Sequence, residues 1–185
     1  MDALGGTVLT GAAAFAATNA DDLLLLAAFF ADRNNRPAAV VLGQYAGIAA
    51  LFGASVAMAL AAAAIPDAAL RLLGLLPIAI GVKSLLRPSD AEEKLPQAGR
   101  MASVAAVTIA NGGDNLAVYV PLFATRSGPE LAVIGALFAA MTALWCYAAA
   151  RLVSQPALGR RLRSQAHRWV PWLLIALGVA ILAGA

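Results

Sequence analysis

Charge is what this sequence has least of. Only 12% of its 185 residues are Asp, Glu, Lys or Arg, against about 25% in soluble domains. With 62% hydrophobic residues, the chain cannot cover itself with a polar surface, which excludes a soluble globular enzyme. One cysteine, Cys146, excludes an internal disulfide and any CxxC redox or zinc motif. The one histidine, His167, sits among arginines at 160–168 and is not a candidate ligand. No GxxxxGK[ST] occurs, so the chain carries no phosphate-binding loop and no ATPase of its own. No Lys or Arg precedes Asp21, so the positive leader of a secretory signal is missing and the first apolar stretch reads as a permanent helix.

What is present is a series of apolar runs. A spanning helix needs about 20 mostly apolar residues, and six stretches approach that: 4–31, 38–65, 68–86, 101–125, 130–150 and 169–185. Pro37, Pro66, Pro129 and Pro171 stand at or near their starts, where a missing N–H costs nothing. Arg33, Arg36, Lys83, Arg87, Lys94, Arg100, Arg151, Arg160, Arg161, Arg163 and Arg168 lie in or border the loops after spans one, three and five. Only Arg71 and Arg126 fall on the other side. The positive-inside rule then puts both termini on the non-cytoplasmic side of a plasma (inner) membrane. The net charge of +3 is accounted for by this topology, and no nucleic-acid partner is expected.

Sliding the chain by 92 residues superposes Asn19 on Asn111, Asp22 on Asp114, Pro37 on Pro129 and Gly43 on Gly135. Ile78-Ala-Ile-Gly-Val82 matches Ile175-Ala-Leu-Gly-Val179 at an offset of 97. Polar residues and proline are rare inside spans, so the Asn-x-x-Asp pair and the later proline carry the signal. The chain is therefore expected to be one all-α transmembrane domain of two inverted three-helix repeats. Repeat one covers about 1–86, a cytoplasmic linker 87–100, and repeat two about 101–185. Three spans per half invert the second half, an architecture of secondary transporters whose sites lie where the halves meet.

Asp21, Asp22 and Asp114 lie well inside spans one and four, with no basic residue in those spans. A carboxylate at a helix centre costs about 2.5–3.5 kcal/mol, so these three need protons, metal ions or both. Protonated carboxyls bonding neighbouring helices are the plain alternative, and the matched positions in both halves argue for a site. On a continuous helix Thr18, Asn19 and Asp22 share a face, as do Asn111, Asp114 and Asn115. Asp21 points elsewhere, so it joins through a local break or serves another role such as proton relay. Gly112-Gly113 weakens span four, either unwinding it to free carbonyl oxygens or providing a packing notch. Carboxylate, amide, carbonyl and hydroxyl oxygens together suit hard divalent ions. Gln44 adds an oxygen or bridges helices. Cys146 is ordinary packing unless a softer ion is bound.

These residues resemble the cadmium-resistance transporter family of the lysine-exporter superfamily. The resemblance rests on Ala17-Thr-Asn-Ala-Asp-Asp-Leu23, Val41-Leu-Gly-Gln-Tyr45, Gly74-Leu-Leu-Pro77, Ile109-Ala-Asn-Gly-Gly-Asp-Asn115 and Tyr119-Val-Pro-Leu-Phe123. It implies efflux of cadmium and other divalent cations, with zinc, manganese or calcium as alternatives. Asp22, Asp114, Asn19 and Asn111 would form the translocation site. Cadmium is a soft ion, so selectivity for it would call on Cys146 or a nearby methionine. The full candidate set is Thr18, Asn19, Asp21, Asp22, Asn111, Asp114 and Asn115, with Gln44 and Cys146 as additions.

The expected activity is divalent-cation export in exchange for protons, without a cofactor or an enzymatic reaction. Metal ion, protons and lipid are the partners, and a homodimer is left open. A membrane scaffold without activity of its own would have no use for the buried Asp residues, and two other readings rival export. An amino-acid exporter of the same superfamily needs a feature that binds a carboxylate, such as a buried Arg, and the spans hold no deep Arg or Lys. An intramembrane aspartyl protease could activate water with paired carboxylates, but Asn111 replaces the first glycine of its GxGD signature and the Tyr-Asp partner motif is absent.

Overall fold

The computed structural model describes residues 3–32, 35–62, 71–86, 101–154 and 156–183. The linker expected at 87–100, the start of the third span and the side chains of His167 and its neighbouring arginines lie outside the described residues. Among the described residues there are eight helices and no strand: α1 Ala3–Thr18, α2 Asp22–Ala31, α3 Pro37–Ala62, α4 Leu75–Leu86, α5 Met101–Asn111, α6 Gly113–Ala124, α7 Gly128–Val153 and α8 Pro156–Ala183.

Helices α3 and α7 are long and apolar enough to cross a membrane, and α1 with α2 makes a third span if the bent pair is taken as one. The bend is 59°. The expected fourth span is divided at Gly112 into α5 and α6, and Trp169–Ala183 is a shorter apolar helix. Among the described residues, helix length alone therefore delivers two or three full-length spans and not six. The last helix also starts earlier than expected. Arginine, leucine, glutamine and alanine are all good helix formers, so the basic stretch after Pro156 is helical rather than a loop.

Small residues decide how the helices meet. A Cβ on Gly43 would lie 2.6 Å from the Met101 carbonyl oxygen, and one on Gly47 would lie 2.6 Å from Thr108 Cβ. Helix α3 therefore lies almost backbone to backbone on α5, as small-xxx-small pairs permit in lipid. It also packs on α6, while α7 packs on α1 and α2. Helix α4 crosses α8 through Gly74 against Gly178 and Gly81 against Pro171, each within 2.6 Å of a hypothetical Cβ.

Phe15, Phe52, Tyr119, Phe123 and Phe138 interlock as an aromatic core, with Phe15 and Phe138 edge to face at 5.1 Å. Large apolar side chains also cover the outside: Leu60, Leu86, Trp169 and Trp172 are all more than half exposed. A soluble monomer rarely shows so much apolar surface, and lipid is the solvent such a surface fits. At one end Thr7 of α1 donates to Glu130 Oε1 at 2.9 Å, while the Ser127 N–H donates to Glu130 Oε2 at 2.8 Å. That contact caps the start of α7 and ties it to the start of α1.

Candidate functional site

Two breaks in helices build the site. Between α1 and α2, residues 19–21 leave the helix, and the freed carbonyl of Asn19 accepts Trp145 Nε1 of α7 at 2.6 Å. Asp21 Oδ1 then accepts the Asp22 N–H at 3.0 Å, starting α2. Between α5 and α6, Gly112 interrupts the helix, and Asp114 Oδ1 accepts the Asn115 N–H at 2.9 Å. Both second halves thus begin with a carboxylate at the positive end of the helix dipole, where anions are favoured.

The breaks divide the candidate residues into two groups, so the shared helix faces expected for Thr18, Asn19 and Asp22, and for Asn111, Asp114 and Asn115, do not exist. A face argument needs a continuous helix, and neither span is one. In the first group, Asn111 Nδ2 donates to Asp21 Oδ2 and Asp22 Oδ1, each at 3.1 Å. Gln44 Nε2 donates to Asp22 Oδ2 at 3.1 Å. Thr108 Oγ1 bonds Gln44 Oε1 at 2.6 Å and fixes which end of that amide faces the carboxylate. Three helices converge here, α2, α3 and α5, with Asp21 added from the break. Asp22, Gln44 and Thr108 are buried, whereas Asp21 is exposed.

In the second group, Asn115 Nδ2 donates to Asn19 Oδ1 at 3.2 Å and to the Tyr119 hydroxyl at 3.1 Å. Asn19 Nδ2 reaches that same hydroxyl at 2.8 Å, and Thr18 Oγ1 lies 2.9 Å from it. Asp114 opens α6 next to Asn115 of the second group. Among the described residues, no group of three or more His, Cys, Asp or Glu is arranged to hold a metal ion. The carboxylates are linked through amides instead.

Gln44 bridges helices in this structure, one of the two roles open to it. Cys146 lies in an apolar cluster with Leu26, Phe29, Val40, Val104 and Ala149. Thr108 and Tyr119 are the polar partners that sequence reasoning missed. A threonine or tyrosine in an apolar helix looks like core filling, and only the partner across the bundle shows otherwise.

What the arrangement can do chemically is gather two or three carboxylates and four carboxamides at the junction of two broken helices. Its oxygens can surround a cation, and its carboxylates can take protons. A family model described as cadmium resistance transporter matches residues 15–185. No curated protein and no solved structure matches the chain.

Proposed function

The chain belongs to the cadmium resistance transporter family, and on that premise we propose that it exports divalent metal cations by secondary transport in exchange for protons. The observation that carries this reading is the pair of bonds from Asn111 to Asp21 and Asp22. They join two Asn/Asp motifs that lie 92 residues apart in sequence. The cation would be held by oxygens of Thr18, Asn19, Asp21, Asp22, Asn111, Asp114 and Asn115. Cadmium is the substrate of the family's description, while an oxygen-only set also suits manganese or calcium.

The repeat reading is part of the proposal, with halves at about 1–86 and 101–185. The packing supports it: α3 of the first half lies on α5 and α6, and α7 of the second half lies on α1 and α2. Gly74 meets Gly178 and Gly81 meets Pro171, which centres the α4–α8 crossing on residues 97 apart, the offset of the matched Ile-Ala-x-Gly-Val segments. A two-fold axis in the membrane plane would pass there, and rocking of one half about it would alternate access. With both termini outside, the ion would enter from the cytoplasm, displace protons from Asp22 and Asp114, and leave when they are reprotonated. Lowering the external pH at clamped membrane potential should then speed export of a loaded metal from vesicles. A rate independent of external pH would identify uniport and remove the exchange step.

A further inference from the structure

Tyr119 is completely buried on α6. Its ring stacks on Phe123 at 5.6 Å and tilts against Phe138 of α7 at 4.8 Å. A ring held on two sides has one stable orientation, so the hydroxyl is a fixed point in the bundle. Three polar groups meet it. Thr18 Oγ1 lies 2.9 Å away, and Asn19 Nδ2 and Asn115 Nδ2 donate at 2.8 and 3.1 Å. The Thr18 hydroxyl donates its own proton to the Ala14 carbonyl at 3.0 Å, so the tyrosine donates to Thr18. Its oxygen then accepts both asparagine N–H groups, which fills the capacity of a phenol hydroxyl.

That saturation has a consequence for the two carboxamides. An amide whose nitrogen is tied to a fixed oxygen turns its own oxygen away from it. One hydroxyl therefore links the orientation of Asn19, in the break after α1 and held also by the Phe15 carbonyl and Thr18, to that of Asn115, just past the break before α6. No cation ligand is needed from the tyrosine itself. Discrimination between divalent ions depends on cavity size, ligand number and ligand flexibility, and oriented amides reduce the last of these. We infer that Tyr119 is the positioning residue of the cation site, acting through Asn19 and Asn115 to set selectivity among divalent ions. This rests on the cation-transport reading above.

The test compares wild type with Tyr119→Phe and Thr18→Val in proteoliposomes, using cadmium and calcium as probes. Phenylalanine keeps the ring contacts, and both asparagines keep other partners: Asn19 Nδ2 the Phe15 carbonyl, Asn115 Nδ2 the Asn19 oxygen. Folded protein is therefore expected. For Tyr119→Phe the KM for cadmium should rise about tenfold and the cadmium-to-calcium flux ratio should fall, with maximal flux within about twofold. Thr18→Val, which removes both the acceptor of the phenol proton and a proposed cation oxygen, should raise KM for both ions by at least as much. A merely structural tyrosine would lower folded protein and maximal flux while leaving KM and ratio at wild-type values, and that outcome overturns the inference. Wild-type protein that carries neither ion overturns the transport reading and this inference with it, and is seen without any variant.

Discussion

Asp22→Asn is expected to lose at least about 100-fold in metal flux while the protein stays as stable as wild type or becomes more so. The two effects separate because they have different origins. A cation about 4 Å from a carboxylate gains roughly 4 kcal/mol at an effective dielectric near 20, and losing most of that is worth two to three orders of magnitude in affinity. Stability responds in the opposite sense. Asp22 is only 5% exposed, and without metal its carboxyl must either take up a proton or stay ionised in a span at about 2.5–3.5 kcal/mol; asparagine needs neither. Against this stands one reversed hydrogen bond. Asn111 and Gln44 both present N–H groups to residue 22, and the Gln44 amide is held by Thr108. An asparagine there can accept from one of them, and the mismatch costs about 1–3 kcal/mol. Flux in proteoliposomes and the thermal midpoint of the same preparation check both halves. A variant that loses stability in step with flux would make Asp22 a structural residue.

Gly47→Val should be among the most damaging packing changes near the site. The new Cβ would sit 2.6 Å from Thr108 Cβ and 3.3 Å from the Ala105 carbonyl oxygen. Backbone cannot yield as a flexible side-chain tip can, so α3 and α5 must separate. Overpacking of this kind costs about 1–3 kcal/mol or more, and the separation draws Thr108 away from Gln44. Both the thermal midpoint and the flux should fall. Gly53 on the same helix has nothing within 4 Å of an added Cβ. Gly53→Ala should be silent or stabilise by about 0.5–1 kcal/mol, since alanine favours a helix interior. Equal midpoints for the two variants would show that α3 does not lie close on α5.

The sequence announced some of this and concealed the rest, for physical reasons. Polar residues inside apolar runs are costly, so Asn19, Asp22, Asn111 and Asp114 stood out, and their 92-residue spacing paired them. Gly112-Gly113 announced the second break through its low helix propensity. The first break had no such mark. Ala17 to Leu23 contains no glycine or proline, and the helix gives way where the Asn19 carbonyl finds Trp145, a partner 126 residues away. Once both helices are broken, 3.6-residue periodicity no longer tells which side chains meet. That is why Thr18 pairs with Tyr119 while Asp22 pairs with Gln44 and Asn111. Cys146 could not be placed from its neighbours Trp145 and Tyr147. Its surroundings come from α2, α3 and α5, where Leu26, Val40 and Val104 pack around it. The helical start of α8 was hidden by the habit of reading a basic stretch as a loop, when its residues favour helix as strongly as solvent.

In the proposed function, the paired Asn/Asp breaks carry a divalent cation across the membrane. The most direct measurement is cadmium flux in proteoliposomes of the purified protein, with zinc, manganese and calcium in parallel and Asp114→Asn beside wild type. At least cadmium should cross faster than through empty vesicles, and Asp114→Asn should abolish the excess. Metal crossing no faster than through empty vesicles, or at the same rate in Asp114→Asn as in wild type, would contradict that function.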